Sequence, residues 1–112
     1  MKERNIDEYL MEIGREPLLT VDEERALLKA VQEKGKDCEE MKQLEKSFAR
    51  FVLSLANQYK NQGLTIWELI DVGTEGMRKA AMKYDFNADV KFISYAVWWM
   101  RQAMIQAIEE KK

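Results

Sequence analysis

The stretch from Phe92 to Ile108 contains no Gly and no Pro, so it can form one uninterrupted helix. Small and apolar residues recur in it at spacings of three, four and seven, which predicts a buried face made of Ile93, Ala96, Met100, Ala103, Met104 and Ala107. The opposite side has Tyr95, Trp98, Trp99, Gln102 and Gln106. A solvent-facing side with three large aromatic rings usually marks a surface that binds something.

Two interpretations of this aromatic face follow from the residues alone. Aromatic rings beside side-chain amides are suited to stacking on unpaired bases and hydrogen bonding to their edges. The same rings can instead pack against a neighbouring helix, and the spacing by itself favours this second interpretation. In either case we expect Trp98 to be more exposed than Trp99, because Trp99 lies closer in angle to Ala96 and Ala103.

Helical spacing through the rest of the chain predicts an all-α fold, a compact bundle of about five helices. A short amphipathic helix begins near Ile6 and ends at Gly14. Residues 20–23 form a capping box at the start of a second helix that ends near Gly35. The expected buried face of this second helix consists of Ala26, Leu27, Ala30 and Val31.

The third and fourth helices are predicted in the same way. The third begins within residues 37–40 and ends before Gly63, with a buried face of Met41, Leu44, Phe48, Phe51, Val52, Leu55, Ala56 and Tyr59. A second capping box at residues 65–68 starts the fourth helix, which extends to about Tyr84. Gly73 and Gly76 lie inside it, and we expect them to permit a close approach of another helix. A polar turn at residues 85–91 leads into the aromatic helix.

The composition excludes several classes of protein. No apolar run approaches the roughly 18 residues that a membrane-spanning helix needs, so no membrane association is expected. The first residues lack the charged-then-apolar pattern of a signal peptide. The single cysteine, Cys38, cannot form an internal disulfide and fits a reducing compartment. These features predict a cytoplasmic protein.

The sequence offers little for catalysis or for binding a cofactor. It contains no His, no glycine-rich phosphate-binding loop, and no Ser or Cys beside a plausible base. Most carboxylates fall on helix faces with Lys or Arg nearby, which is typical of a solvated surface. The ligands of a structural zinc site are also lacking. We therefore expect a protein that is not an enzyme and that uses no metal or cofactor.

The charge distribution bears on nucleic-acid binding. The net charge of −2 argues against tight, independent binding to duplex DNA, which relies on many phosphate contacts. Residues 78–102 nevertheless have five basic side chains against two acidic ones. The aromatic helix therefore begins in a locally basic part of an acidic chain. Such a region can contact nucleic acid when another molecule holds it in place.

Several segments resemble, in order, those of a known family. KFISYAVWWMRQA at residues 91–103 is similar to the promoter-melting segment of primary, housekeeping-type sigma factors of bacterial RNA polymerase. YLMEIGREPLLT at residues 9–20 resembles the stretch before the second domain of that family. FVLSLANQYKNQGL at 51–64 and LIDVGTEGMRKAAMKYD at 69–85 follow in the family's order. The resemblance covers nearly the whole chain, and it favours base stacking over simple packing for the aromatic face.

The resemblance implies a fold, a function and two partners. Residues 36–112 would form a sigma domain 2-like helical bundle, and residues 1–35 a helical segment that precedes it, both within one compact unit. Domains of this kind bind core RNA polymerase at the clamp helices of its largest subunit. They then melt the promoter −10 element and capture flipped bases of the non-template DNA strand.

The resemblance also implies roles for individual residues. Tyr95 matches the residue that stacks on a flipped adenine, and Trp98 and Trp99 match the wedge at the upstream edge of the melted region. Gln102 matches the residue that faces the last duplex base pair. The remaining candidates match walls of the adenine pocket or contacts to the DNA backbone: Tyr84, Asp85 and Ser94 for the pocket, Lys91 and Arg101 for the backbone.

A polymerase contact is expected on the fourth helix. Glu68, Asp71 and Glu75 share one face by their spacing, and Val72 lies at its edge. An acidic face with an apolar edge suits a basic protein surface better than DNA. The family's clamp-helix contact falls on this same helix.

Two alternatives stay open, because the sequence departs from the usual family residues at six positions, which are Phe48, Asp71, Val72, Glu75, Ala88 and Val90. The first is a sigma-like regulator that occupies the polymerase clamp without melting DNA. The second is a helical scaffold whose aromatic face binds a protein.

Overall fold

The computed structural model describes residues 5–111, and within that range it consists of five α-helices without a strand. In chain order they are α1 (Ile6–Gly14), α2 (Val21–Lys34), α3 (Glu39–Tyr59), α4 (Ile66–Lys83) and α5 (Phe92–Lys111). The all-α prediction is confirmed. Residues 1–4 and 112, at the outer ends of the predicted segments 1–35 and 36–112, lie outside the described residues. Between residues 5 and 111, no helix is both long and apolar enough to cross a bilayer.

Both predicted capping boxes are present and fix where α2 and α4 begin. The Thr65 hydroxyl accepts a hydrogen bond from the Glu68 backbone N–H at 3.1 Å, and the Glu68 carboxylate accepts one from the Thr65 N–H at 3.0 Å. Thr20 and Glu23 form the same reciprocal pair at 3.1 and 2.9 Å. These bonds satisfy N–H groups that have no partner inside the helix. The bond from the threonine N–H also lowers the pKa of each glutamate.

The centre of the molecule is formed by α3, α4 and α5. The most extensive contact is between α4 and α5, α2 packs on α3 and α4, and α1 packs on α3. From α5, a row of residues spaced by four enters the core, and these are Phe92, Ala96, Met100, Met104 and Ile108. This spacing is the ridge by which helices commonly pack against each other.

The buried faces differ from the predicted ones in detail. On α5, Ile93, Ala103 and Ala107 are only half-buried and flank the buried row. On α3, Phe51 is 38% exposed, and its ring centre lies 5.6 Å from that of the buried Phe48.

The predicted face of α2 is partly wrong. Ala26 is exposed, and Leu28 is buried together with Val31. Leu28 and Val31 lie three residues apart and are fully buried, so this apolar pair, and not Ala26, lies on the inward face of α2. Gln32 lies on the same side, where its side chain bonds to the end of α4, a contact that apolar spacing does not reveal.

The two α4 glycines permit the close packing of α4 on α5, as expected. A Cβ atom on Gly76 would lie 2.8 Å from the Trp99 backbone oxygen and 3.0 Å from the Met100 Cα atom. A Cβ atom on Gly73 would lie 2.5 Å from the Met104 Cε atom. The obstacle at Gly73 is the end of a flexible side chain, whereas the obstacle at Gly76 is backbone. At Gly76 the backbone of α5 therefore comes too close to α4 for a side chain to fit between them.

We predict that Gly76→Ala lowers the free energy of unfolding by roughly 1–3 kcal/mol, because the added methyl group meets backbone that cannot move aside without shifting α5. Gly14→Ala is the matched control, since a Cβ atom there meets nothing within 4 Å. Urea denaturation followed by circular dichroism measures both variants. If the two variants unfold at the same urea concentration, the close approach of α4 and α5 at Gly76 is contradicted.

Candidate nucleic-acid interface

A continuous series of aromatic rings leads from the core to the surface of α5. Phe92 is buried, and its ring meets the Tyr84 ring edge-on at a centroid distance of 5.4 Å. Tyr84 contacts Tyr95 at 5.8 Å, and Tyr95 contacts Trp99 at 6.2 Å. Trp99 meets Trp98 at 5.7 Å with an interplanar angle of 83°. Because each ring is held by the next, the outermost ring is supported by the core.

Exposure increases along this series. Tyr95 and Trp99 are half-buried, and Trp98 is 57% exposed. The prediction that Trp98 is the more exposed tryptophan is confirmed. Packing and exposure therefore coexist on this face: the inner rings pack on the domain, while Trp98 offers a large apolar surface to solvent. An aromatic surface of this kind is able to stack on an unpaired base.

The turn between α4 and α5 is closed by hydrogen bonds at several points. The Tyr84 hydroxyl donates to the Val90 carbonyl at 2.6 Å, which links the two ends of the turn. The Asp85 carboxylate accepts from the Asn87 N–H at 2.9 Å, and the Asp85 carbonyl accepts from the Ala88 N–H at 3.1 Å. Tyr84 and Asp85 are thus held at the start of the turn, next to the inner rings.

The polar candidates are exposed and lie on both sides of the rings. Asp85 is in the turn, and Lys91 directly precedes α5, where its carbonyl accepts from the Tyr95 N–H at 3.2 Å. Ser94 lies one residue before Tyr95 on the first turn of α5. Arg101 and Gln102 follow Trp98 by three and four residues, so they share its face. The structure therefore brings all nine candidates to the turn and the following part of α5.

One residue at this surface was not predicted as a site residue from the sequence. The Lys83 ammonium lies 5.5 Å from the centre of the Trp99 ring, and the Lys83 carbonyl accepts a hydrogen bond from the Tyr95 hydroxyl at 3.5 Å. Lys83 therefore supports two of the rings and adds positive charge beside them. Its position directly before Tyr84, within the basic segment 78–102, was the available signal.

The acidic candidates on α4 lie on its surface. Glu68, Asp71 and Glu75 are exposed and Val72 is half-buried. Glu68 is engaged in the capping box, and Glu75 forms an ion pair with Arg78 at 3.5 Å. Among residues 5–111, the Asp71 carboxylate has no hydrogen-bond or ion-pair partner.

A groove of about 320 Å³ between α1, α3 and α4 continues this acidic surface. Asp71 lines it together with Glu12, Glu16 and Glu45, and Lys46 is its one basic lining residue among the described part of the chain. Four carboxylates against one ammonium group make the lining of this groove acidic, whereas Lys83 lies beside the rings.

Comparison with known proteins assigns the family. Residues 44–112 match the model of sigma-70 region 2, and residues 6–37 match that of sigma-70 factor region 1.2. RNA polymerase sigma factor SigA of Listeria monocytogenes is 44% identical over 103 residues, which is 92% of this chain and 27% of that protein. The SigA proteins of Lactococcus lactis subsp. lactis and of Clostridium acetobutylicum are 41% and 40% identical, again over 92% of this chain and 27% of their own length.

The match extends through all five helices, and the region 2 match alone spans more than half of the chain. The chain spans about a quarter of the length of these relatives. It belongs to the sigma-70 family and contains that family's region 1.2 and region 2.

Proposed function

We propose that this chain is a transcription-initiation domain that binds core RNA polymerase and melts the promoter −10 element. The observation that supports this most strongly is Trp98, more than half exposed at the end of a ring series anchored in the core. A large, rigidly supported ring beside basic side chains suits the capture of bases from a single DNA strand.

In this proposal the rings replace the stacking that bases lose when the duplex opens. Trp98 and Trp99 form the wedge at the upstream edge of the melted region, and Tyr95 stacks on a flipped adenine. Each stacked base contributes roughly 1–3 kcal/mol, which offsets part of the cost of unstacking. No bond is made or broken in this process.

The polar residues around the rings orient the DNA strand. We infer that Tyr84, Asp85 and Ser94 form the walls of the adenine pocket and that Gln102 faces the last duplex base pair. Lys91 and Arg101 contact backbone phosphates. Such contacts set the register of the strand, whereas the pocket selects the base.

The proposed polymerase contact explains how a weakly charged domain reaches DNA. With a net charge of −2, the chain gains little from phosphate neutralisation and needs another molecule to hold it near the promoter. We propose that the surface of Glu68, Asp71, Val72 and Glu75 binds the clamp helices of the polymerase. The acidic groove beside Asp71 supports a basic partner surface there.

Binding to core polymerase, followed by binding of that complex to a fluorescent single-stranded −10 oligonucleotide, tests this function. Both steps are expected to succeed, and the second is expected to require polymerase. Polymerase binding without oligonucleotide binding would indicate a regulator that occupies the clamp. Failure of both steps would indicate a scaffold for another protein.

We predict that Trp98→Ala weakens oligonucleotide binding by the polymerase complex roughly tenfold, within the range expected for one lost stacking contact. Helical circular dichroism and polymerase affinity are expected to stay unchanged, because the ring is mostly outside the core. Met11→Ala, at a residue that is 62% exposed on α1, is the control. If Trp98→Ala and Met11→Ala weaken oligonucleotide binding equally, Trp98 has no specific stacking role.

We predict that adding Trp99→Ala to Trp98→Ala abolishes open-complex formation on promoter DNA while polymerase binding persists. Permanganate footprinting of unpaired thymines detects the melted region. If the double variant instead loses its helical circular dichroism, the rings serve the fold and the melting role fails.

We predict that Asp71→Lys weakens binding to core polymerase in a competition assay, because it places a positive charge in an acidic surface meant for a basic partner. The stability of the fold is expected to change by only about 0.5 kcal/mol, as is usual for exposed positions. Glu33→Lys makes the same charge change on the exposed side of α2 and is the control. If the Asp71→Lys variant competes for core polymerase as well as the chain without the substitution does, the polymerase contact does not lie on this face of α4.

A further inference from the structure

A long-range polar contact joins α2 to the end of α4. The Gln32 side-chain amide donates to the Tyr84 carbonyl at 2.8 Å and to the Ala81 carbonyl at 3.0 Å. The last carbonyls of a helix have no partner inside it, so a donor from elsewhere is needed to satisfy them. Gln32 provides that donor from a residue about 50 positions earlier in the chain.

The same face of α2 contacts the next part of the turn. Arg25 and Lys29 both lie over the Phe86 ring, with their cationic groups 5.1 and 5.8 Å from its centre. Residues 25, 29 and 32 are spaced by four and three, so they form one row along α2. This row contacts residues 81–86, the segment in which α4 ends and the turn begins.

Tyr84 connects this row to the aromatic face. Its backbone carbonyl is held by Gln32, its hydroxyl is bonded to Val90, and its ring contacts Tyr95. A displacement of the Tyr84 backbone would therefore move the ring against which Tyr95 packs. The position of the α2 row is in this way coupled to the surface proposed to bind the DNA strand.

We propose that Gln32 is a positioning residue for base capture: its amide holds the end of α4 in place, so that Tyr84 and the turn are already ordered when the DNA strand arrives. This rests on the function proposed above. Gln32 itself contacts no DNA in this proposal, and α2 acts as a brace for the turn. A pre-ordered site binds more tightly because less conformational entropy is lost on binding.

Two substitutions separate hydrogen bonding from packing at this position. Gln32→Met keeps a linear side chain of similar length but removes the donor. Gln32→Lys retains a donor that can bond to carbonyls at a helix end, where a positive charge is also favourable. Gln58→Met, at an exposed glutamine of α3, is the matched control.

The first measurement is amide hydrogen exchange of the full chain, which does not depend on any DNA ligand. Gln32→Met is expected to speed exchange at the backbone amides of residues 84–91, while exchange in α3 stays as in the unchanged chain. Gln32→Lys is expected to restore slow exchange, and Gln58→Met to have no effect. Unchanged exchange at residues 84–91 in Gln32→Met would overturn the positioning role.

The second measurement is the affinity of the polymerase complex for the single-stranded −10 oligonucleotide. Gln32→Met is expected to weaken it roughly threefold to tenfold, the effect of one or two lost hydrogen bonds, with unchanged affinity for polymerase. Gln32→Lys is expected to recover most of this loss. Unaltered oligonucleotide affinity in Gln32→Met would overturn the proposal, as would a general loss of helical structure, because Gln32 would then serve the fold as a whole.

The two measurements distinguish failure of this inference from failure of the proposed function. If the unchanged chain binds no oligonucleotide, the proposed function fails, while hydrogen exchange still reports whether Gln32 orders the turn. If the chain without substitutions binds the oligonucleotide and the Gln32 variants behave like Gln58→Met, the proposed function stands. The positioning role of Gln32 is then wrong.

Discussion

The packing of α5 against α4 at Gly76 determines the geometry of the whole surface. There the backbone of α5 approaches so closely that a single added methyl group would lie 2.8 Å from the Trp99 oxygen. The close contact at Gly76 sets how near α5 lies to α4, and burial of the row from Phe92 to Ile108 fixes the rotation of α5 about its axis. The aromatic face is then left on the outer side. A helix held less tightly could rotate and bury these rings.

The ring series connects this packing to the proposed function. Phe92 is in the core, Trp98 is in solvent, and Tyr84, Tyr95 and Trp99 link them by edge-on and tilted contacts. The surface proposed to stack on a base is therefore supported by the same contacts that stabilise the fold. The α4–α5 turn is linked to this ring series by the bond from the Tyr84 hydroxyl to Val90. Helix α2 is linked to it by the bond from Gln32 to the Tyr84 carbonyl. The acidic groove near Asp71 and the basic side chains beside the rings are the features on which the two proposed partners, a basic protein surface and a DNA strand, depend.

Apolar spacing and capping boxes were sufficient to predict the five helices, since both depend on residues close together in the sequence. The greater exposure of Trp98 than of Trp99 was also predictable from their angular positions around the helix axis. Three features were not predictable in this way: the inward face of α2, the support of Trp99 by Lys83, and the bonds from Gln32 to α4. Each depends on a contact between residues distant in the chain, or on a polar side chain that no periodicity marks. The roles of the individual site residues come from family resemblance and stay predictions.

Bases of the non-template strand are proposed to stack on the aromatic face of α5. Photo-crosslinking tests this stacking most directly, with a −10 oligonucleotide that contains 5-iodouracil and is bound to the complex of this chain with core polymerase. Mass spectrometry then identifies the residue attached to the base. We predict adducts at Tyr95, Trp98 or Trp99 that disappear when polymerase is omitted. Adducts confined to other helices, or equal crosslinking without polymerase, would contradict the account.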